Sequence, residues 1–316
     1  MLLGHETAWR EWRKALGGER MHHAWLLAGR RGVGKGSFAF AAACELVGVD
    51  PADAQNHPDI LTLTYAPKDD KEERKRADGK PYEVARSIRI AQVRGMQARL
   101  GTRPTLGDKR AIIIDPADDL ERNAANALLK SLEEPPIGTY FLLVAHSPAR
   151  LLPTIRSRCR VLRFPTVSDA EMDRLLADLS PGADTATRAA VIAAAGGSPG
   201  AALQFVDMEL GKVRQAMDAI LARGDPDFQL RGTLAGLIGA RPDRERIRAV
   251  LELARSAAAQ RLDGAMADPR PVIDTHSELV RLTGEQPTYN FDAGLLAMEI
   301  GTLLAKAATA SERADG

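Results

Sequence analysis

The sequence is poor in cysteine, contains no long hydrophobic run and carries no excess of charge of either sign. Its only cysteines are Cys44 and Cys159, which excludes a disulfide framework and a metal cluster built from thiolates. No apolar run of about 20 residues could cross a bilayer, and no signal peptide opens the chain. Lysine and arginine total 43 against 42 aspartate and glutamate, so no global field points to nucleic acid or membrane. We expect a cytoplasmic protein without membrane contact, in which any DNA contact is a local patch.

The most informative motif that is present is the glycine-rich segment Gly29 to Ser37, which has one altered position. It resembles the phosphate-binding loop G-x-x-x-x-G-K-[ST], in which backbone N–H groups hold phosphates, lysine reaches the β and γ oxygens, and the hydroxyl binds Mg²⁺. Gly36 stands where that hydroxyl belongs, and Ser37 is one residue late, which turns a helical side chain by about 100°. The candidate nucleotide-binding residues are Gly29, Gly32, Gly34, Lys35, Gly36, Ser37 and, later in the chain, Asp115. The motif predicts a nucleotide fold that no longer hydrolyses nucleotide.

Apolar runs and helical patterns alternate up to about residue 165. The runs predict strands at residues 23–28, 60–64, 111–114, 141–145 and 161–164. The patterns between them predict helices at residues 37–47, 90–100 and 122–132. This alternation is typical of a parallel sheet with helices on both faces. It also gives the glycine-rich segment the strand–loop–helix context that its motif requires, which disfavours the alternative of a chance glycine-rich turn.

Beyond residue 168 the sequence shows no strand pattern. Ala- and Leu-rich segments with helical spacing lie at residues 169–177, 185–195, 210–222, 244–261 and 291–308. Candidate N-caps are Ser168, Asp184 and Asn290. The second half is therefore expected to be all-helical.

One charged segment interrupts the alternation. Residues 68–80 hold six basic and five acidic side chains and almost no apolar one, so they cannot bury a core face. We expect a mobile surface loop here. Its mixed charge argues against a nucleic-acid-binding arm.

Three further motifs identify a family. Asp115 ends an apolar strand, as does the acidic residue that helps to hold Mg²⁺ in P-loop proteins, although an aspartate in this place is often only a turn former. The LLKSLEEPP run at residues 128–136 and the Ser-Arg-Cys tripeptide at 157–159 complete a pattern that resembles the clamp-loader family of AAA+ proteins. Residues 115–126 are most similar to the δ′ group of the bacterial DNA polymerase III clamp loader, of the alphaproteobacterial type.

The resemblance is strong over residues 20–206 and faint beyond them. It implies an α/β AAA+ P-loop domain at 1–165, a small helical lid domain at 166–207 and an all-α collar domain for oligomerisation at 208–316. Apolar positions near the chain's end either pack on partner helices in that collar or fill the chain's own core. These positions are Leu295, Leu296, Ile300, Leu303 and Leu304.

The resemblance also implies a subunit that hydrolyses no ATP of its own and completes a neighbour's site. In such assemblies the Ser-Arg-Cys arginine reaches the γ-phosphate of ATP on the adjacent γ/τ subunit, and we carry this role to Arg158. Ser157 and Cys159 belong to the same motif, and Cys159 is expected to be a buried structural residue because no base partner accompanies it. The alternative for Arg158 is that Arg156, Arg158 and Arg160 form only a solvated edge.

The implied partners are the γ/τ and δ clamp-loader subunits and, through the complex, the sliding clamp and primed DNA in replication. The chain would then be part of a DNA-directed DNA polymerase complex, a nucleotidyltransferase, without a required cofactor. The rival interpretation is an active clamp-loader ATPase of the γ/τ type. Gly36 disfavours it, as does Pro116, which replaces the glutamate that polarises the attacking water in active AAA+ proteins.

Other departures from the family pattern point the same way. Active relatives carry Thr or Asn after the fourth strand and an arginine in the lid, where this chain has His146-Ser147 and Gly200. Because the glycine loop and Lys35 remain, the sequence leaves open whether ATP or ADP still binds. Many relatives also bind structural Zn²⁺ through four cysteines after the first helix. Cys44 alone cannot build that site, so we predict no zinc.

Overall fold

The computed structural model describes residues 5–54, 56–183, 185–262, 268–286 and 291–312. The chain divides into two compact units, Met1–Thr166 and Val167–Gly316. The division into three domains at residues 165 and 207 stays a prediction, and one continuous cluster of buried side chains extends through the second unit.

The first unit is built on a sheet of five parallel strands. They are β1 (Ala24–Gly29), β2 (Ile60–Leu63), β3 (Arg110–Ile114), β4 (Thr139–Ala145) and β5 (Arg160–Phe164). Their order across the sheet is β2-β3-β4-β1-β5, with every neighbouring pair parallel. All residues of β3 are buried, as a strand covered on both faces requires, which explains its unbroken apolar run. All five strands predicted from the sequence are confirmed.

Six helices lie in the described part of this unit, and five of them cover the two faces of the sheet. The six are α1 (Glu6–Leu16), α2 (Lys35–Val47), α3 (Asp70–Ala77), α4 (Ile90–Leu100), α5 (Arg122–Glu133) and α6 (Pro153–Arg156). Successive strand residues point to opposite faces, so Trp25 and Leu27 pack with α1 and α2 while Leu26 packs with α4, α5 and α6. The three helices predicted in this unit are confirmed, and α1, α3 and α6 are additional.

The prediction of a loop at residues 68–80 is wrong, because α3 lies there. The Asp69 side chain caps this helix by accepting hydrogen bonds from the amides of Lys71 and Glu72. Glu72 also pairs with Lys75 at 2.8 Å, one turn along, and is buried where it accepts the Glu83 amide at 2.7 Å. Charged side chains thus satisfy one another on this helix, which needs little apolar surface to form.

The second unit is helical throughout its described residues. Its helices are α7 (Asp169–Leu179), α8 (Thr185–Ala195), α9 (Pro199–Asp207), α10 (Gly211–Arg223), α11 (Gln229–Ile238), α12 (Arg244–Arg261), α13 (Arg270–Glu285) and α14 (Ala293–Glu312). The helices predicted here are confirmed, whereas α9, α11 and α13 were not expected. Ser168 caps α7 in a reciprocal pair with Glu171, as predicted. The other two candidate caps, Asp184 and Asn290, lie outside the described residues.

Most of the apolar positions singled out in α14 fill the unit's own core. Leu296, Ile300, Leu303 and Leu304 are buried among the other helices of the unit. Leu295 is 73% exposed. The apolar residues at helical spacing in α14 therefore pack within this chain. Of these five residues, only Leu295 faces solvent.

Candidate functional site

The glycine-rich loop connects β1 to α2 at the carboxyl edge of the sheet, where parallel sheets place their ligands. A Cβ at Gly29 would lie 2.4 Å from the Phe164 carbonyl oxygen, so the close approach of β1 and β5 requires glycine. Gly32 and Gly34 have φ of 77° and 98°, a region that other residues rarely adopt. Gly34 is also the N-cap of α2 and offers no side-chain acceptor to the amides of its first turn. The loop therefore needs glycine at positions 29, 32 and 34, as the motif predicted from the sequence requires at the first and last of these.

Lys35 is folded back onto this loop. Its side chain is buried, and Nζ donates to the carbonyl oxygens of Gly29 at 2.7 Å and Arg30 at 2.6 Å. Burial lowers the pKa of Lys35 to about 8, although the carboxylates of Asp115 and Asp118 act in the opposite direction. The ammonium group that would contact phosphates is thus bound by the backbone of its own loop.

Asp115 occupies the space that a hydroxyl side chain would need at position 36. A Cβ at Gly36 would lie 2.6 Å from Oδ2 of Asp115, well inside van der Waals contact. Burial raises the pKa of Asp115, against the opposing influence of Lys35 and Arg31. Ser37 is exposed on α2. The observed position of the Asp115 carboxylate is therefore compatible with glycine at position 36 and not with a residue that carries a hydroxyl side chain.

Asp118 is a site residue that we missed in the sequence. Its carboxylate is buried and accepts hydrogen bonds from the amides of His146 at 3.0 Å and Ser147 at 2.7 Å, just after β4. Burial lowers the pKa of His146 to about 4, and the positive charge of Lys35 adds to the effect. The buried Nδ1 of His146 has no hydrogen-bond partner among the described residues. A second aspartate three positions after Asp115 is the signal that could have found this contact.

Arg158 lies at the other end of the sheet, between α6 and β5. Its Nη2 pairs with Oε1 of Glu133 at 2.6 Å, its Nη1 donates to the Thr154 carbonyl at 2.9 Å, and its side chain is 34% exposed. In the parallel pairing of β1 with β5, Trp25 lies beside Arg160 near the amino ends of the strands, and Gly29 lies beside Phe164 at their carboxyl ends. That interval is four residues, or roughly 13 Å at 3.3 Å per residue. Arg158 precedes Arg160 and is therefore remote from the chain's own phosphate loop.

The neighbours of Arg158 in the motif have structural contacts. Ser157 is exposed, and its Oγ donates to the Thr154 carbonyl at 3.1 Å. Cys159 is half-buried rather than fully buried and packs against the core beneath α5 and α6. Burial raises the pKa of the Cys159 thiol to about 12, so it is a thiol and not a thiolate at neutral pH. Cys159 thus faces the core at the turn that carries Arg158.

Two further predicted positions are Gly200 and Cys44. Gly200 is in the first turn of α9, in the second unit. Cys44 is buried in α2, and burial raises the pKa of its thiol. Among the described residues, no three His, Cys, Asp or Glu side chains converge as metal ligands would, and the absence of zinc stays a prediction. Within those same residues, no helix is both long and apolar enough for a bilayer.

Comparison with known proteins extends these observations. The family model described as "DNA polymerase III, delta subunit" matches residues 4–168. DNA polymerase III subunit delta' of Pseudomonas aeruginosa is 35% identical over 207 residues, which are 60% of this chain and 58% of that protein. Subunit delta' of Escherichia coli is 30% identical over 233 residues, 69% of this chain and 64% of that protein. The matches thus span less than two thirds of the length of these relatives.

A solved structure supports the fold assignment. A DNA polymerase III gamma subunit-related protein from Thermotoga maritima superimposes with a TM-score of 0.53 and 16% identity, covering 96% of this chain and 99% of that one. The α/β P-loop sheet followed by helices, which the sequence predicted as an AAA+ arrangement, is confirmed. The family model spans more than half of the chain, from α1 to the start of the second unit. The chain therefore belongs to the family of the DNA polymerase III delta subunit.

Proposed function

We propose that this chain is a non-hydrolysing subunit of the bacterial DNA polymerase III clamp loader and that Arg158 acts in trans on a neighbour's ATP. The observation that carries the proposal is the separation of Arg158 from the chain's own phosphate loop. The loop follows β1 and the arginine precedes β5, so the two lie at opposite edges of one parallel sheet. An arginine so placed is of no use to nucleotide on its own loop, whereas it is available to a site on an adjoining subunit.

The chain's own phosphate loop supports this division of roles. Gly36 offers no hydroxyl to Mg²⁺, and an added Cβ there would lie 2.6 Å from Oδ2 of Asp115. Pro116 follows Asp115, so no carboxylate stands there to polarise water. Lys35 donates to carbonyl oxygens of its own loop. A chain with these features needs no nucleotide cofactor for its role, and turnover belongs to the neighbour.

The chemistry of arginine suits the proposed contact. A guanidinium is planar, always charged and able to spread over several phosphate oxygens in a way that an ammonium cannot. Trans-acting arginines raise nucleotide turnover by about 10³ to 10⁵. The neighbour is proposed to be a γ/τ-type subunit. The δ subunit, the sliding clamp and primed DNA would be further partners through the assembled complex in the cytoplasm.

The experiment replaces Arg158 in the reconstituted clamp loader. Arg158→Ala is expected to lower DNA-stimulated ATP turnover at the adjacent site by about 10³ to 10⁵ and to abolish clamp loading. Arg158→Lys should recover little, because the planar fork is lost. The matched control is Arg156→Ala. Arg156 is two residues away, is exposed and donates to the Pro148 carbonyl at 3.3 Å. Wild-type turnover for Arg158→Ala would overturn the assignment.

The rival function, an active ATPase of the γ/τ type, has a separate test. The isolated chain should hydrolyse ATP no faster than a Lys35→Ala variant of the same chain. The reason is that the hydroxyl and the glutamate are both replaced. Turnover by the isolated chain that Lys35→Ala removes would favour the rival.

A further inference from the structure

Glu133 has a position that helix stability does not explain. It is the last residue of α5, where the partial negative charge of the helix C-terminus disfavours a carboxylate. Its side chain is 49% exposed, and an ion pair as open to water as the one it makes with Arg158 adds little to the stability of a fold. The carboxylate therefore lowers the stability of the helix, and its ion pair adds little to the stability of the fold. Its position points instead to a role at the arginine itself.

We propose that Glu133 is a positioning residue for Arg158. In this role it orients the guanidinium ahead of the encounter with a neighbour's phosphate. The inference rests on the function proposed above for Arg158. It adds that the first glutamate of the LEEPP run and the arginine of the Ser-Arg-Cys motif act as one unit, although 25 positions separate them in the chain.

The guanidinium is held at two points by two different elements. Nη2 contacts Oε1 of Glu133 at the end of α5, and Nη1 donates to the Thr154 carbonyl within α6. Two contacts on the two terminal nitrogens fix both the place and the plane of the group. An arginine has five N–H donors in a fixed fork, so these two bonds leave three donors for an external anion. Glu133 can therefore remain bound while Arg158 contacts phosphate.

Pre-orientation matters because arginine is a flexible side chain. A free arginine loses substantial rotamer freedom when it docks, and a group that is already ordered avoids that cost during reaction. The neighbouring arginines are held differently. Arg156 donates to the Pro148 carbonyl, and Arg160 lies over the Trp25 ring with 4.9 Å between the guanidinium carbon and the ring centroid. The carboxylate contact distinguishes Arg158 within this cluster.

The chain offers a matched control one residue away. Glu134 is exposed and forms the C-cap of α5, where its backbone amide donates to the Lys130 carbonyl. Glu134→Gln removes the same charge from the same helix end without touching the Arg158 contact. Glu133→Gln keeps the shape and one oxygen acceptor but removes the charge, and Glu133→Ala removes the acceptor as well.

The test measures kcat and KM of DNA-stimulated ATP hydrolysis in the reconstituted complex, with each variant made in both the wild-type and Arg158→Ala chains. We expect Glu133→Ala to lower kcat by about three- to tenfold with KM unchanged, because misplacing a catalytic group by a fraction of an ångström acts on the reaction step. Glu133→Gln should lose less, and Glu134→Gln should behave as wild type. In the Arg158→Ala background Glu133→Ala should have no further effect.

Four results would overturn the inference. A higher kcat for Glu133→Ala would mean that Glu133 restrains the arginine. An equal loss in the Arg158→Ala background would indicate a merely structural role, as would a loss shared by Glu134→Gln. The proposed function stands or falls separately. If Arg158→Ala lowers turnover and Glu133→Ala does not, only the positioning role fails, whereas wild-type turnover in Arg158→Ala removes the function proposed for the arginine itself.

Discussion

The Asp115 side chain leaves no room for a side chain at Gly36, because a Cβ added at position 36 would lie 2.6 Å from Oδ2 of Asp115. The two residues lie in the two segments that the sequence predicts as nucleotide-binding motifs, one at the start of α2 and the other directly after β3. In a phosphate-binding loop that holds Mg²⁺, a hydroxyl side chain stands at this place beside the acidic residue. Here the Asp115 carboxylate occupies that space, so a side chain at position 36 would have to displace it.

The first prediction concerns stability at this contact. Gly36→Ala is expected to gain about 1 kcal/mol less stability than a glycine-to-alanine change at an open helix position, because the added methyl group must displace the end of the Asp115 side chain. Gly95→Ala in α4 is the matched control, since nothing lies within 4 Å of an added Cβ there. It should stabilise by roughly 0.5 to 1 kcal/mol, as glycine-to-alanine changes do in helix interiors. Urea unfolding midpoints distinguish the two. An equal gain at both positions would contradict the contact.

A second prediction separates the chain's own loop from turnover by the complex. Lys35→Met should leave DNA-stimulated ATP hydrolysis in the reconstituted clamp loader within about twofold of wild type, or under about 0.5 kcal/mol in barrier. The reason is that Nζ of Lys35 is bound by the carbonyls of Gly29 and Arg30. Methionine keeps most of the side-chain volume. A loss as large as that of Arg158→Ala would show that nucleotide on this chain takes part in turnover.

Acid sensitivity should be associated with His146. Burial, with Lys35 and Arg31 nearby, lowers its pKa to about 4, below the ordinary value of 6.5. Between these pH values His146 is protonated in the unfolded chain and neutral in the folded chain. Its contribution to the free energy of unfolding is therefore fully present above pH 6.5 and is lost as the pH falls toward 4. The loss attributable to His146 is on the order of 1 to 3 kcal/mol.

His146→Gln should flatten this part of the stability profile. Unfolding free energies of wild type and variant, measured from pH 7.5 down to 4.5, give the comparison. The difference at pH 7.5, where His146 is neutral in both states, sets the baseline for the substitution itself. If the two curves stay parallel down to pH 4.5, His146 does not carry the acid sensitivity.

A further prediction concerns the buried ion pair of Asp59 and Arg110 beneath the loop before β3. Burial acts to raise the pKa of Asp59, but hydrogen bonds from the Leu106 and Thr105 amides and from Arg110 hold that pKa below its usual range. Arg110→Met should cost about 3 to 5 kcal/mol, because it leaves a buried carboxylate without its countercharge.

The control for that pair is an exposed one. Arg150, whose side chain is 64% exposed, pairs with Asp119 at 3.1 Å, and Arg150→Met should cost no more than about 1 kcal/mol. Thermal unfolding of both variants, compared at matched pH and salt, provides the measurement. Equal losses would mean that burial does not set the cost of breaking the Asp59 pair.

The centre of the sheet was predictable because its strands, such as β3, are apolar on both faces. Ile112, Ile113 and Ile114 are all buried, and such a run has few other interpretations. Helix α3 was missed for the opposite reason. Its stability comes from the Asp69 cap and from pairs such as Glu72 with Lys75, which a hydrophobic pattern does not report. Helices α4, α5 and α12 were recovered to within about one residue at their ends, whereas α1, α11 and α13 were missed although they bury core side chains of their own.

The site was predictable where a motif is contiguous and unpredictable where it is assembled. Gly29 to Lys35 can be read directly, because backbone geometry and residue type are local. The contact of Asp118 with the amides after β4 joins positions 28 and 29 apart, and that of Glu133 with Arg158 joins positions 25 apart. No local pattern encodes such pairs, because they exist only once strands and helices are packed.

By itself, the sequence determined that this chain carries a phosphate loop without its hydroxyl, an aspartate without the following glutamate, and an arginine in a Ser-Arg-Cys motif. The tertiary structure alone decided that Asp115 fills the space beside Gly36 and that Arg158 is held by Glu133. It also decided, through the parallel register of β1 and β5, that the arginine and the loop face opposite edges of the sheet. Residue identity is a local property, whereas the side on which two groups meet depends on strand direction and register.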